Sequence, residues 1–294
     1  MATETRTRKD VYAIINEQII AQLEKGTVPW LKPWHDGGLP QNAVSKKYYR
    51  GINILLLAWA GYENNQFLTF KQLTDMGAKV KRDEKGHMVV FWKFPEKDQT
   101  GEAGEEDEKS KAPVLRYYTV FNVSQCENLP DKYVSTTREA VLIPSCESIV
   151  ENMPKRPEVR SKEQRAFYNP LQDFVNMPKK TSFKSDESYY STLFHELVHS
   201  TGHHSRLKRP GLIQMSEFGD EAYSLEELVA EIGTCYLQSV AGIESEFNQS
   251  AAYIQGWLSR MRGDRHLIFS ASSMAQKAVD FILNAGEHDE IAEE

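Results

Sequence analysis

The stretch Thr192–Arg206, TLFHELVHSTGHHSR, constrains this chain more than any other. It contains His195-Glu196-Leu197-Val198-His199, an HExxH sequence. Residues four apart lie one turn apart on the same face of a helix, so a helix here can offer both imidazoles to one metal ion. Glu196 sits one step round from His195, where its carboxylate can take a proton from water held at that ion. The flanking residues predict the helix that this chemistry needs. Ser185 is an N-cap candidate, Asp186 and Glu187 suit the positive end of the helix dipole, and Gly202 is a plausible stop. Leu193, Phe194, Leu197 and Val198 supply an apolar side to bury. The plain alternative is a solvated helix face that happens to carry two histidines.

A tetrahedral metal site needs a third protein ligand. The segment Tyr223–Glu231, YSLEELVAE, places Glu227 and Glu231 at i and i+4 on a second helix, so both carboxylates face the same way. Glu227 is the expected ligand, and Glu231 either orients a ligand histidine or replaces Glu227. The alternative for Glu227 is a capping box with Ser224, which would start the helix there. The His203-His204 pair reads as surface or rim, because Gly202 ends the helix before it. A metzincin would place its third histidine where Ser205 stands, so that pattern fails. Tyr223 is a candidate oxyanion donor, with packing as the other reading.

At 294 residues the chain can bury one large core or two ordinary ones. No apolar run reaches membrane-spanning length, and MATETRTRKD lacks the apolar centre of a signal peptide. Cys126, Cys146 and Cys235 are scattered and odd in number, which argues against a disulfide framework and for a reducing, cytoplasmic setting. The net charge of −7 is uneven: residues 1–95 hold 14 Lys/Arg against 9 Asp/Glu. A basic first third points to an anionic partner there, or to ordinary charge scatter.

Residues 8–25 read as an amphipathic helix closed by Gly26. Next comes Pro29-Trp30-Leu31-Lys32-Pro33-Trp34, whose two prolines exclude a regular element. Lys46-Lys47-Tyr48-Tyr49-Arg50 follows, just before an apolar helix at Ile54–Trp59. Rings interleaved with cations suit single-stranded nucleic acid, since bases stack on the rings while cations follow phosphates. Trp30, Lys32, Trp34, Lys46, Lys47, Tyr48, Tyr49 and Arg50 are therefore candidate DNA contacts, and core packing of Trp30, Trp34 and Tyr49 is the competing reading.

Phe67–Gly77 predicts a Thr-capped helix. His87–Phe94 and Leu115–Val123 predict strands joined by an acidic loop over residues 95–113. A boundary is expected near Gln125–Val134, giving domains at 1–128 and 129–294. The second contains a helix around Ile149 and Val150, short strands up to Phe174, the two candidate metal helices, and helices at Ala251–Arg262 and Ser273–Asn284. The fold class is α+β.

Several motifs in this order resemble the ArdC family of plasmid-encoded antirestriction proteins. They are GTVPWLKPW, the Pro40-x-Asn42 element, YYRGIN, FLTFKQL and VFNVSQ in the first part. In the second they are YYSTLFHELVHSTGHHSRL, FGDEAYSLEELVAEIG and WLSRM followed by AQKAVDFI. The resemblance covers nearly the whole chain. It implies an N-terminal single-stranded-DNA-binding domain shared with TraC-type primases and a C-terminal zincin-like metallopeptidase domain. It also implies a gluzincin-like site, in which the ExxAD pattern becomes Glu227-Leu228-Val229-Ala230-Glu231, with Glu in place of Asp. The implied role is to bind incoming conjugative DNA, with single strands as the expected partner and duplex as the alternative, and to protect it from host restriction. A host restriction-system protein is a candidate partner, and no membrane is involved. Zinc is the default metal, while two histidines and a glutamate also suit Mn2+. Two other readings stay open on the residues alone: a cytosolic zinc peptidase whose first domain recognises a protein substrate, and a metal that only holds the fold.

Overall fold

A computed structural model describes residues 10–25, 28, 38–62, 64–93, 113–134, 146–213, 221–243 and 251–285. The chain opens with α1 (Val11–Glu24), capped by Asp10, whose side chain accepts from the Tyr12 N–H at 3.0 Å. Then come β1 (Gln41–Asn42), α2 (Ile52–Ala58), β2 (Gln66–Thr69) and α3 (Phe70–Asp75). The FLTFKQL motif is thus a strand that turns straight into a helix. Thr69 and Gln72 close a reciprocal capping box at the junction, so the helix begins at Phe70 and not at Phe67. After β3 (Lys79–Val80), the long hairpin of β4 (His87–Lys93) and β5 (Val114–Asn122) forms as the strand patterns predict.

The four strands assemble in the order β1-β2-β5-β4. The β1–β2 pair is parallel and the other pairs are antiparallel. An edge strand exposes unpaired backbone groups that must be satisfied. Asn53, on α2, meets this need on β4: its side chain accepts from the Val90 N–H and donates to the Val90 carbonyl, both at 2.7 Å. The same amide therefore fixes α2 against the sheet.

The chain continues through β6 (Cys126–Glu127), which pairs with β3, and α4 (Asp131–Val134). Next are α5 (Cys146–Asn152) and a three-stranded sheet of β7 (Glu158–Arg160), β8 (Phe167–Asn169) and β9 (Phe174–Asn176) in the order β7-β9-β8. Then come α6 (Asp186–Thr201), α7 (Pro210–Ile213), α8 (Glu221–Ala241), α9 (Ala251–Gly263) and α10 (Leu267–Ile282). Helix α8 starts before Ser224, so Ser224 and Glu227 do not form a capping box. Helix α10 starts six residues before the expected Ser273, because Leu267, Ile268 and Ala271 extend its buried face.

The expected division near residue 128 separates two lengths of chain, but the largest apolar core crosses it. Ile15, Ile19 and Leu23 of α1 and Ile54 and Leu55 of α2 pack in one cluster with Trp257, Met261, Ile268 and Val279 from α9 and α10. Polar contacts close the joint. Asn16 donates to the Met261 carbonyl at 2.7 Å, and Glu24 pairs with Arg262 at 2.6 Å. The Gly51 N–H meets Gln276 Oε1 at 3.1 Å, and Tyr236 on α8 donates to the Gly51 carbonyl at 2.9 Å.

Candidate metal centre

Helix α6 forms because both its ends are satisfied. Ser185 accepts from the Ser188 N–H at 3.2 Å, Asp186 and Glu187 occupy the first turn, and Gly202 ends the helix. Leu193, Phe194, Leu197 and Val198 are buried, so the apolar side sits where the sequence puts it. The opposite side turns His195 and His199 toward α8. Their ring centroids are 4.7 Å apart and their Nε2 atoms 3.1 Å apart.

Helix α8 brings Glu227 to the same point. Its carboxylate oxygens lie 3.6 Å from His195 Nε2 and 3.4 Å from His199 Nε2. One ligating atom from each of His195, His199 and Glu227 falls within 4.8 Å of the others, the spread expected around a single ion. Glu231 reaches His195 Nδ1 at 3.9 Å, an ion-pair separation longer than a hydrogen bond. Glu196 is buried beside the cluster on α6. Tyr223 lies in α8, but its side chain is outside the described residues.

The electrostatics of the cluster favour a cation. Burial opposes charge on both imidazoles, yet Glu227 raises the pKa of His195, and Glu227 with Glu226 raises that of His199 well above its ordinary value. Burial also works against an ionised Glu227, which the two histidines nevertheless hold far below the usual carboxylate range. The group thus favours positive charge between two ring nitrogens and a carboxylate. Two imidazoles and a carboxylate oxygen fit a divalent ion of the zinc or manganese kind.

Glu226 is the participant that sequence reasoning missed. Its Oε1 lies 3.3 Å from His199 Nδ1, and its carboxylate is gripped by the buried Arg209. Adjacent residues on a helix point about 100° apart, so Glu226 does not share a face with Glu227. It reaches the site through the far nitrogen of His199. The usable signal was a carboxylate next to the ligand candidate, matched by an arginine ten residues after His199.

The histidine pair after α6 divides. His203 is buried, a correction to its expected place at the surface or rim, because its Nδ1 meets Ser205 Oγ at 2.8 Å beneath the exposed His204 ring. Neither belongs to the metal cluster. Arg206 is wholly buried in its side chain and pairs with Asp173 in the turn between β8 and β9, tying that turn to the segment that follows α6.

The candidate DNA contacts also divide. Asn42 accepts from the N–H groups of Val44 and Ser45, both at 3.0 Å, and so builds the tight turn that leaves Lys46 and Lys47 exposed and Tyr48 45% exposed. Tyr49 instead lies in the core, edge-on to Phe67, where no base can stack on it. Arg50 pairs with Asp280 on α10. These two are held by packing and by the joint with α10, which residue type alone did not reveal. Trp30, Lys32 and Trp34 lie outside the described residues.

Comparison with known proteins bears on both halves. The family model described as "N-terminal domain of anti-restriction factor ArdC" matches residues 9–121, and that described as "Zincin-like metallopeptidase" matches residues 144–274. A DNA primase TraC from Escherichia coli is 33% identical over 310 residues, covering 98% of this chain but only 28% of the primase. The chain thus spans little more than a quarter of that relative. The metal-free crystal structure of the antirestriction ArdC protein from plasmid R388 superposes with a TM-score of 0.75 at 37% identity, covering 93% of this chain and 97% of that one. Its Mn(II)-bound structure gives a TM-score of 0.75 at 36% identity, covering 95% and 100%.

Proposed function

Because the chain belongs to the ArdC family of antirestriction proteins, we propose that it binds single-stranded DNA and shields entering DNA from restriction, with a gluzincin-like metal site beside the DNA-binding part. The observation that carries this reading is the pairing, on one chain, of an exposed Lys46-Lys47-Tyr48 turn with the His195–His199–Glu227 cluster. The β4–β5 hairpin adds exposed Trp92, Lys93, Arg116 and Tyr117, the residue types on which bases stack and phosphates settle. Similarity to part of a primase favours DNA handling, while primase chemistry is not carried over to a chain that spans so little of it.

In the C-terminal half, His195, His199 and Glu227 would hold the ion, zinc or Mn2+, and Glu231 would help to orient His195. A bound divalent ion would supply Lewis acidity toward water and a peptide carbonyl. Glu196 would hold the proton that leaves the water and return it to the leaving amine. Among the described residues no helix is long and apolar enough to cross a membrane, in keeping with the proposed work in the bacterial cytoplasm.

Fluorescence anisotropy with a labelled single strand and its duplex tests the DNA half. Single-strand binding at low salt that weakens as salt rises supports it, and no binding at low salt overturns it. Transfer of a conjugative plasmid into a restricting host, with wild type against Glu196→Ala of verified metal content, then separates hydrolysis from DNA binding. A peptidase with a host protein substrate is the second reading. It is favoured by the open-edged β7-β9-β8 sheet packed against α6, to which an extended peptide can add as a strand.

A further inference from the structure

The segment after the metal helix contains a buried arginine that the proposed chemistry does not use. Arg209 is 6% exposed in its side chain and spends its donors in two directions. Toward α8 it grips Glu226, with Nε donating to Oε2 at 2.9 Å and Nη2 to Oε1 at 2.5 Å. Toward α6 it caps the helix end: Nη1 donates to Thr201 Oγ1 at 2.5 Å, and Nη2 to the carbonyls of Val198 at 2.7 Å and His199 at 3.4 Å. Glu226 Oε1 faces His199 Nδ1 at 3.3 Å.

We infer that Arg209 and Glu226 form a positioning pair that sets the tautomer and direction of His199, and through them the affinity of the metal site. This rests on the reading of His195, His199 and Glu227 as ligands. A carboxylate that accepts from His199 Nδ1 assigns the single proton of the neutral ring to that atom, so that Nε2, which faces His195 and Glu227, can offer its lone pair to a cation. Arg209 holds that carboxylate in place from two points. The bidentate fork holds it more firmly than a lysine could. Because the same guanidinium binds the carbonyl of His199 itself, the backbone and the ring of one ligand are fixed from a single point.

Gly202 belongs to this device. Its φ of −72° is ordinary for any residue, so conformation does not demand glycine here. Space does. A Cβ at this position would stand 3.1 Å from Arg209 Nη2, 3.2 Å from its Cζ and 3.2 Å from the His199 carbonyl oxygen. Gly202→Ala would therefore displace the guanidinium by a few tenths of an ångström while removing no hydrogen-bonding group and reducing the freedom of the unfolded chain.

The test is titration of metal-free protein with Mn(II) and Co(II), following heat for the first and the visible ligand-field bands for the second. Thermal melts of the metal-free forms serve as a folding control. Glu226→Gln is expected to lose ten- to a hundredfold in affinity, the usual cost of removing such a partner, with a changed Co(II) spectrum. Gly202→Ala is expected to lose several-fold with its metal-free melting temperature kept or raised, a combination that a merely structural role would not give. Unchanged affinity and spectrum in Gly202→Ala overturn the inference even if Glu226→Gln does not fold. Glu227→Gln is the discriminating control. If it binds both metals as tightly as wild type, the ligand assignment itself fails, whereas a weak Glu227→Gln beside unaffected Glu226→Gln and Gly202→Ala condemns only the positioning pair.

Discussion

Replacing Gly233 by alanine should weaken both the fold and the proposed metal site, although alanine is the better helix former. Gly233 lies in α8 where that helix crosses α6, and a Cβ there would come within 3.0 Å of both methyl carbons of Val198. Carbon atoms settle at about 3.5–4.0 Å, so the helices must part by roughly 0.5–1 Å unless Val198 turns away. Val198 is fully buried and β-branched, which leaves it little choice of rotamer in a helix. Overpacking of this kind costs about 1–3 kcal/mol, against up to about 1 kcal/mol gained in propensity. The net expectation is a loss of about 1 kcal/mol, read as a fall of a few degrees in melting temperature. Val198 is next to His199, and Glu227 is about 9 Å along α8 from Gly233 at the helical rise. Parting the helices therefore opens the ligand triangle by more than the roughly 0.2 Å that coordination tolerates, and Mn(II) affinity should fall about tenfold. Gly256 in α9 is the matched control: a Cβ there meets nothing within 4 Å, so Gly256→Ala should stabilise by up to about 1 kcal/mol. Urea melts of the metal-free variants and Mn(II) calorimetry decide the matter. Equal stabilisation by both alanines, with Mn(II) affinity unchanged in Gly233→Ala, would refute the reasoning.

Three further outcomes follow from other contacts. Tyr236→Phe removes the donor to the Gly51 carbonyl and should cost about 1–2 kcal/mol in urea melts while leaving Mn(II) affinity intact, since the joint lies away from the ligands. Against the burial that would raise it, Glu226 is held below its ordinary pKa by Arg209 and His199, so its contribution to stability is present above the ordinary carboxylate value and is lost as pH falls through the lower folded one. Acid titration of metal-free protein should therefore show a steeper loss below about pH 4.5 in wild type than in Glu226→Gln. Lys46→Ala with Lys47→Ala should lower the salt dependence of single-strand binding by about 1.4 units of log–log slope if both lysines meet phosphates, and an unchanged slope would place the strand elsewhere.

The parts of this molecule legible in the sequence are those where a local pattern and a chemical demand coincide. HExxH required a helix, Ser185 and Gly202 bounded one, and the i, i+4 glutamates put a carboxylate on a neighbouring helix. The β4–β5 hairpin was legible for a similar reason, since two strand-rich runs face each other across an acidic stretch. Where reading failed, the decisive neighbour was far away in sequence. Tyr49 and Arg50 look like DNA contacts because rings and cations do, yet Phe67 encloses one and Asp280, 230 residues on, takes the other. Glu226 drew no attention in the sequence, because only the folded chain brings Arg209 against it and so allows its burial. Gly202 was readable as a stop, but it also leaves room for a guanidinium that folds back over it. For Tyr49 and Arg50 residue type proposed a role, and a partner distant in sequence decided it. The same logic weighs the Lys46-Lys47-Tyr48 turn: all three residues are exposed, while Lys46 also reaches over the Tyr133 ring at 5.7 Å, so a phosphate backbone would compete with that contact.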